Sequence, residues 1–193
     1  MARSGLRVVA GTAGGLRLVA PSDSRPTADR VREALFSALG AQGAIEGAVV
    51  LDLFAGSGAL AIEALSRGAA RAVLIDRDRE AQAACEQNLE TTGFGDRAKF
   101  VRSVIGGRHG EPEPGGPFDL VFCDPPYSLP DAEVALVLDG LLDWKDMCLT
   151  DRALVVVERP GPAWSAPRGW TTTWERRYGD TLVTVVHATD VAL

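Results

Sequence analysis

Cysteine and histidine are scarce in this 193-residue chain, and each scarcity narrows its chemistry. Cys85, Cys123 and Cys148 are odd in number, widely spaced and without a Cys-x-x-Cys pair. They read as reduced core residues, which excludes a disulfide framework and a thiolate zinc site. His109 and His187 are the only histidines, so no metal site is expected. No apolar run approaches the ~20 residues of a membrane span, and no membrane partner is expected. The opening Met1-Ala2-Arg3-Ser4-Gly5-Leu6-Arg7 lacks the apolar stretch and cleavage site of a signal peptide. A cytoplasmic location is the expectation.

What remains is an ordinary globular chain, long enough for one domain with a real core. Its formal net charge of −6 argues mildly against indiscriminate nucleic-acid binding. The distribution matters more. Arg3, Arg7, Arg17, Arg25, Arg30 and Arg32 face only Asp23, Asp29 and Glu33 within residues 1–33, a net of +3. The rest must carry −9. A basic end on an acidic body can dock a polyanion locally without being sticky overall.

Residues 6–10 and 16–20 read as two short strands joined by the glycine-rich loop 11–15, a hairpin extension that ends in a linker near residue 24. The methyl-rich spacing of Val31, Ala34, Leu35, Ala38 and Leu39 predicts a helix over 28–39, with Thr27 or Asp29 as its cap. From residue 48 strands and helices alternate. Strands are expected at 49–54, 72–75, 98–101, 118–123 and 153–158, helices at 59–67, 79–91 and 131–142. Such repeated units imply a parallel sheet with helices on both faces. Two extended runs, 170–178 and 181–188, have no helix between them and read as an antiparallel hairpin. The expected architecture is therefore α/β: a Rossmann-like, mostly parallel seven-stranded sheet in residues 25–193, preceded by the 1–24 extension. Trp144, Trp164, Trp170 and Trp174 are scattered and read as packing residues.

Two motifs carry chemistry. In the first, Leu51-Asp52-Leu53-Phe54-Ala55-Gly56-Ser57-Gly58-Ala59-Leu60, a strand meets a tight glycine turn that opens a helix. Glycines there let the backbone approach a ligand. Asp76, at the end of the next strand, is placed to accept hydrogen bonds from ribose hydroxyls. Gly56-x-Gly58-x-x-Ala61 also satisfies the dinucleotide fingerprint, so NAD fits this motif as well. Three features favour S-adenosylmethionine. Asp52 would meet its cationic amino and sulfonium side and would repel a pyrophosphate. The second motif serves a nucleobase amine, for which a dehydrogenase has no use. A terminal antiparallel hairpin belongs to the methyltransferase version of the fold.

That second motif is Asp124-Pro125-Pro126-Tyr127, directly after the apolar run 118–123. Two prolines must end the strand, since neither can donate to a ladder. An aromatic ring, a carboxylate and a proline carbonyl are then presented where open α/β sheets bind ligands. The set suits a flat base bearing an amine. Taken alone, the segment reads equally well as a polar turn.

Asp52-Leu-Phe-Ala-Gly-Ser-Gly58 resembles the first motif of class I S-adenosylmethionine-dependent methyltransferases, and Asp124-Pro-Pro-Tyr127 their amine-modifying signature. Gly11-Thr-Ala-Gly-Gly15, the run Arg25-Pro-Thr-Ala-Asp-Arg-Val-Arg-Glu-Ala-Leu-Phe36, the stretch from Gly58 to Gly68 and Tyr178-Gly-Asp-Thr181 resemble the 16S ribosomal RNA guanine-N2 methyltransferases, the RsmD family. The resemblance implies S-adenosylmethionine as cofactor, S-adenosylhomocysteine as product, and 16S RNA in the small ribosomal subunit or an assembly intermediate as partner. It also implies a monomer. Asp52, Phe54, Ala55, Gly56, Ser57 and Gly58 would surround the methionine part, Asp76 the ribose. Arg77 would lie beside the adenine, with Ser103 and Val104 at its edge. Near Val104 the family often has a polar or acidic residue, so contact there would rest on backbone groups. Asp124, Pro125 and Tyr127 would be catalytic, with Pro126 and Tyr127 against the base. Arg25, Thr27 and Arg30 would face the RNA or close over the cofactor. The alternatives are a methyltransferase for another amine, DNA adenine N6 among them, and a non-catalytic binder of ribosomal RNA.

Overall fold

A computed structural model describes residues 5–22, 29–105, 115–143, 148–161 and 163–189. Its elements run in chain order as α1 (Asp29–Ala41), β1 (Val49–Leu53), α2 (Ala59–Ser66), β2 (Arg71–Asp76), α3 (Arg79–Thr92), β3 (Ala98–Arg102), β4 (Phe118–Cys123), α4 (Asp131–Asp143), β5 (Leu149–Pro160), β6 (Trp170–Tyr178) and β7 (Thr181–Ala188). A single 3-10 turn, Gly95–Arg97, precedes β3.

Seven strands form one sheet in the order β3-β2-β1-β4-β5-β7-β6. The first five are mutually parallel, and β7 runs antiparallel between β5 and β6. The chain winds outward from β1 through β2 to β3, then crosses back to β4 on β1's other side. That reversal leaves a crevice beyond the carboxyl ends of β1 and β4, the place where open α/β sheets take ligands. Leu53 pairs with Ile75 on one side and Cys123 on the other. Residues following β1, Asp76 and Asp124 therefore emerge together at one edge.

Alternation along the strands divides the core into two layers. Val50, Leu74, Leu120, Phe122, Val183 and Val185 point to the face covered by α1, α2 and α3. Leu51, Leu53, Val73, Val121, Val155 and Val157 point to the face covered by α4. Phe36 of α1 meets Phe122 of β4 with ring centroids 5.5 Å apart. Trp164 and Trp170 are buried in the second layer and Trp174 packs on the first; Trp144 lies outside the described residues. All three cysteines are buried and free, and burial pushes their thiols up in pKa.

The N-terminal segment pairs antiparallel around the glycine-rich loop, as expected, but more briefly than two full strands would. It forms one antiparallel bridge, Arg7 to Arg17, with Val8 N donating to Leu16 O and Leu18 N to Leu6 O. The reason lies in α2. Glu63, 1% exposed, accepts from Val9 N at 2.6 Å and Ala10 N at 3.0 Å. Ser66 accepts from Ala13 N at 2.9 Å. Donors that would extend a ladder are drawn to a helix, and the segment becomes an arm strapped across the sheet's first face. Its Leu6, Val8, Ala13 and Leu18 join that face's core. Asp29, expected as a cap, gives its carboxylate to Arg7 and Arg32 instead; Thr27 lies outside the described residues.

Candidate active site

The turn after β1 is wound tightly. Phe54 (φ 61), Gly56 (φ 54) and Gly58 (φ 75) are left-handed at alternate positions. For a bulky side chain this is a true outlier, at a cost of about 1–3 kcal/mol. Among the described residues Phe54 is the one non-glycine so strained, and it lines the cleft. The two glycines serve different ends. A Cβ on Gly58 would lie 2.8 Å from Leu74 Cδ2 and 3.1 Å from Cys85 Sγ, so helix–sheet packing requires its absence. A Cβ on Gly56 would meet nothing nearer than Phe54 O at 3.9 Å. That side of the loop is open space for a ligand.

Carboxylates hold the turn in shape. Asp76 Oδ2 accepts from Gly56 N at 2.9 Å and Oδ1 from Asp78 N at 3.0 Å, leaving each oxygen further acceptor capacity. Asp52 Oδ2 accepts from Ala61 N at 3.1 Å, at the start of α2. Asp52 is 1% exposed. Burial pushes its pKa up to about 8, opposed by the Ala61 N–H and reinforced by the Asp124 and Asp76 carboxylates.

Above this turn opens a cleft of about 750 Å³, within the usual range for a small-molecule site. Asp52, Phe54, Ala55, Gly56, Ser57, Asp76 and Arg77 line one side; Ser103 and Val104 line the end of β3. Asp124, Pro125, Pro126 and Tyr127 form the wall after β4. Tyr127 is 41% exposed, and its phenol shares a hydrogen bond with Thr181 Oγ1 at 3.0 Å. Arg159, buried in β5, clamps the same loop by donating to Leu129 O at 2.6 Å and Asp131 Oδ1 at 2.9 Å. Gly58 does not line the cleft but lies beneath it, and exposed Arg30 is not among its lining residues. Arg25 and Thr27 lie outside the described residues.

Several lining residues escaped the sequence reading: Arg32, Asp78, Ile105, Leu129, Glu133 and Glu158. Arg32 had a signal. It falls on the helical face of Leu35, Phe36 and Leu39, and is as buried as they are, at 1%. It donates to Arg7 O at 2.7 Å and Asp29 Oδ1 at 2.6 Å, while its Nε is buried without a partner. Burial lowers its pKa against the pull of Asp29. Among the described lining residues the ionisable groups are Asp52, Asp76, Asp78, Asp124, Glu133 and Glu158 against Arg32 and Arg77. The cleft is acidic, suited to a cationic ligand and hostile to a pyrophosphate. Among the described residues no cluster of three or more His, Cys, Asp or Glu is placed to hold a metal, and no helix is long and apolar enough to cross a membrane.

A 3-2-1-4-5-7-6 sheet with an antiparallel seventh strand, a glycine turn after β1 and Asp-Pro-Pro-Tyr after β4 define a class I methyltransferase. The family described as Conserved hypothetical protein 95 matches residues 6–187, and the chain belongs to it; this is the RsmD family of the resemblance. The chain is similar to Ribosomal RNA small subunit methyltransferase D of Escherichia coli (strain K12), 40% identical over 157 residues that cover 79% of this chain and 74% of that one. Its likeness to the Haemophilus influenzae protein of the same name is 34% over 182 residues, 92% and 91% of the two chains. The solved structure of yhhF from Escherichia coli superposes with a TM-score of 0.79 at 36% identity, covering 95% of this chain and 97% of that one.

Proposed function

We propose that the protein transfers a methyl group from S-adenosylmethionine to the exocyclic N2 of a guanine in 16S ribosomal RNA, acting in the cytoplasm on the small subunit or its assembly intermediate. The carrying observation is the meeting, at one sheet edge, of an open glycine turn, Asp76 and the Asp124–Tyr127 wall in an acidic cleft. The names of the two curated relatives support the RNA as substrate. The cofactor fits the residues present. Gly56 leaves room for close approach, Asp76 offers acceptors to a ribose, and buried Asp52 offers a carboxylate to an ammonium. Arg77, Ser103 and Val104 border the position of the adenine. We read the chain as acting alone, with residues 1–24 as an extension to the 25–193 catalytic domain.

Bound there, S-adenosylmethionine supplies an electrophilic methyl on an already activated sulfonium. The protein's part is positioning and electrostatics. Asp124 and the Pro125 carbonyl accept the two N–H groups of the guanine amine, drawing its delocalised lone pair toward tetrahedral geometry. Tyr127 lies against the base, a contact worth about 1–3 kcal/mol, with Pro126 beside it. Asp124 or water takes the proton released. A paired or stacked guanine is flipped out to reach the wall. Arg25, Thr27 and Arg30 act at the RNA side.

Methyl transfer from radiolabelled S-adenosylmethionine tests this, offering small subunits lacking the modification, bare 16S RNA and duplex DNA in parallel. The expected product is label in subunits, recovered as N2-methylguanosine. N6-methyladenine in the DNA would overturn the substrate. No label despite confirmed cofactor binding would favour a non-catalytic binder.

A further inference from the structure

We propose that Asn88 is a positioning residue that links the seating of the N-terminal arm to the shape of the cofactor turn; the inference rests on the cofactor reading above. Asn88 lies in α3, 1% exposed, and is not itself among the residues that line the cleft. Its side-chain amide holds two segments at once. Oδ1 accepts from Val19 N at 2.8 Å, and Nδ2 donates to Val19 O at 2.8 Å. The same Nδ2 donates to Ser57 O, also at 2.8 Å. A carboxamide has two N–H donors, and here one serves the arm and the other the turn. Ser57 sits between Gly56 and Gly58 and lines the cleft.

Both segments depend on this bracket. The turn is held in left-handed conformations that are costly at Phe54 and persist only where surroundings over-determine them. The arm has one bridge of its own and is fastened to the helices beneath it by Glu63, Ser66 and Asn88. Arg7, Leu16 and Arg17 are turned to solvent. A shift of Val19 drags the amide that fixes Ser57 O, so anything that seats the arm also sets the turn. By linkage, ligand in the turn stabilises the seated arm by the same factor.

The test uses the full-length protein with S-adenosylhomocysteine as probe. Asn88→Leu leaves Val19 O, Val19 N and Ser57 O without that partner, and affinity is expected to fall about tenfold, the loss of one to two buried hydrogen bonds. Should Asn88→Leu not fold, Asn88→Asp preserves shape and the acceptor for Val19 N while removing both donors. Ser66→Ala loosens the arm at the far end of α2 and is expected to weaken probe binding about threefold in the native background and not at all with Asn88→Leu. Amide exchange of Val19 is expected to slow on probe binding in the native protein only. Native affinity in a folded Asn88 variant, or Ser66→Ala and Asn88→Leu effects that simply add, would overturn the linkage. A native protein that binds no probe would overturn the cofactor reading and the linkage with it.

Discussion

Asp52 makes the cleft's affinity for a cation depend on pH in a calculable way. Burial keeps its proton to about pH 8, where an exposed aspartate releases it near about 3.9. Only the ionised form attracts the ammonium of S-adenosylmethionine. At pH 7 about a tenth of Asp52 carboxyls are ionised, at pH 6 about a hundredth, and apparent affinity falls by the same fractions. Below pH 7 the ligand's own ammonium keeps its proton, so the slope belongs to the protein. Calorimetric titration at pH 7 in buffers of different ionisation enthalpy should show nearly one proton released per ligand bound. The Asp52→Asn variant retains an oxygen for Ala61 N–H and should lose both the proton release and the slope. Stability moves oppositely to affinity. The folded pKa is raised, so the native state holds a proton that the unfolded chain has lost, and stability declines as pH rises from about 4 to 8. Asp52→Asn should thus melt above the native protein at pH 8.5, by ~2–4 °C per kcal/mol relieved, with the gap closing toward pH 4. Affinity flat from pH 5.5 to 7 with no proton release would refute the reasoning.

Asp124→Ala should lower turnover about 10²–10³-fold with S-adenosylhomocysteine affinity nearly unchanged, the pattern of a group acting on the reacting amine; single-turnover kinetics and titration separate the two. Gly58→Ala sets a Cβ against Leu74 and Cys85 at a left-handed φ, and thermal melting should show a loss of about 1–3 kcal/mol. Arg159→Met leaves Leu129 O without its donor, so KM for the RNA substrate should rise several-fold as the Asp-Pro-Pro-Tyr loop loosens. Substituting Arg25 and Arg30 should weaken subunit docking and flatten its salt dependence, read by filter binding across a salt series.

Local signals carried most of the fold. Pro125 and Pro126 bounded β4 to the residue, and Gly179-Asp180 separated β6 from β7 where the pattern placed it. The exceptions share a cause: partners distant in sequence. β5 begins at Leu149, earlier than its apolar run, because Leu149 pairs with Phe118 across an irregularity in the ladder. Thr150, Asp151 and Arg152 hide that extension behind polar side chains. The arm's antiparallel pairing stays short because Glu63 takes the Val9 and Ala10 donors, and a glutamate inside an apolar helix gives no sign of what it will accept. The strand-end motifs of the cleft were legible because tight turns demand particular residues. Glu133 and Glu158 were not, since their place in the cleft comes from how α4 and β5 pack.

Those two carboxylates bear on how an acidic protein meets RNA. A cleft dominated by carboxylates repels phosphate, so a nucleic-acid backbone is held off while an uncharged base can enter. A base can reach Tyr127 and Asp124 only if its own phosphates are held elsewhere, and the chain's excess of arginine lies in residues 1–33. Arg7 and Arg17 are exposed on the arm, and Arg30 on the outer side of α1. Division of charge thus becomes a filter: a substrate must span from basic arm to acidic cleft, with one base free to leave its stack. Free nucleosides lack the first requirement and rigid duplexes the second. A folded RNA surface with an extruded base meets both, and reversing Arg17 to glutamate should weaken its capture while leaving S-adenosylhomocysteine affinity intact.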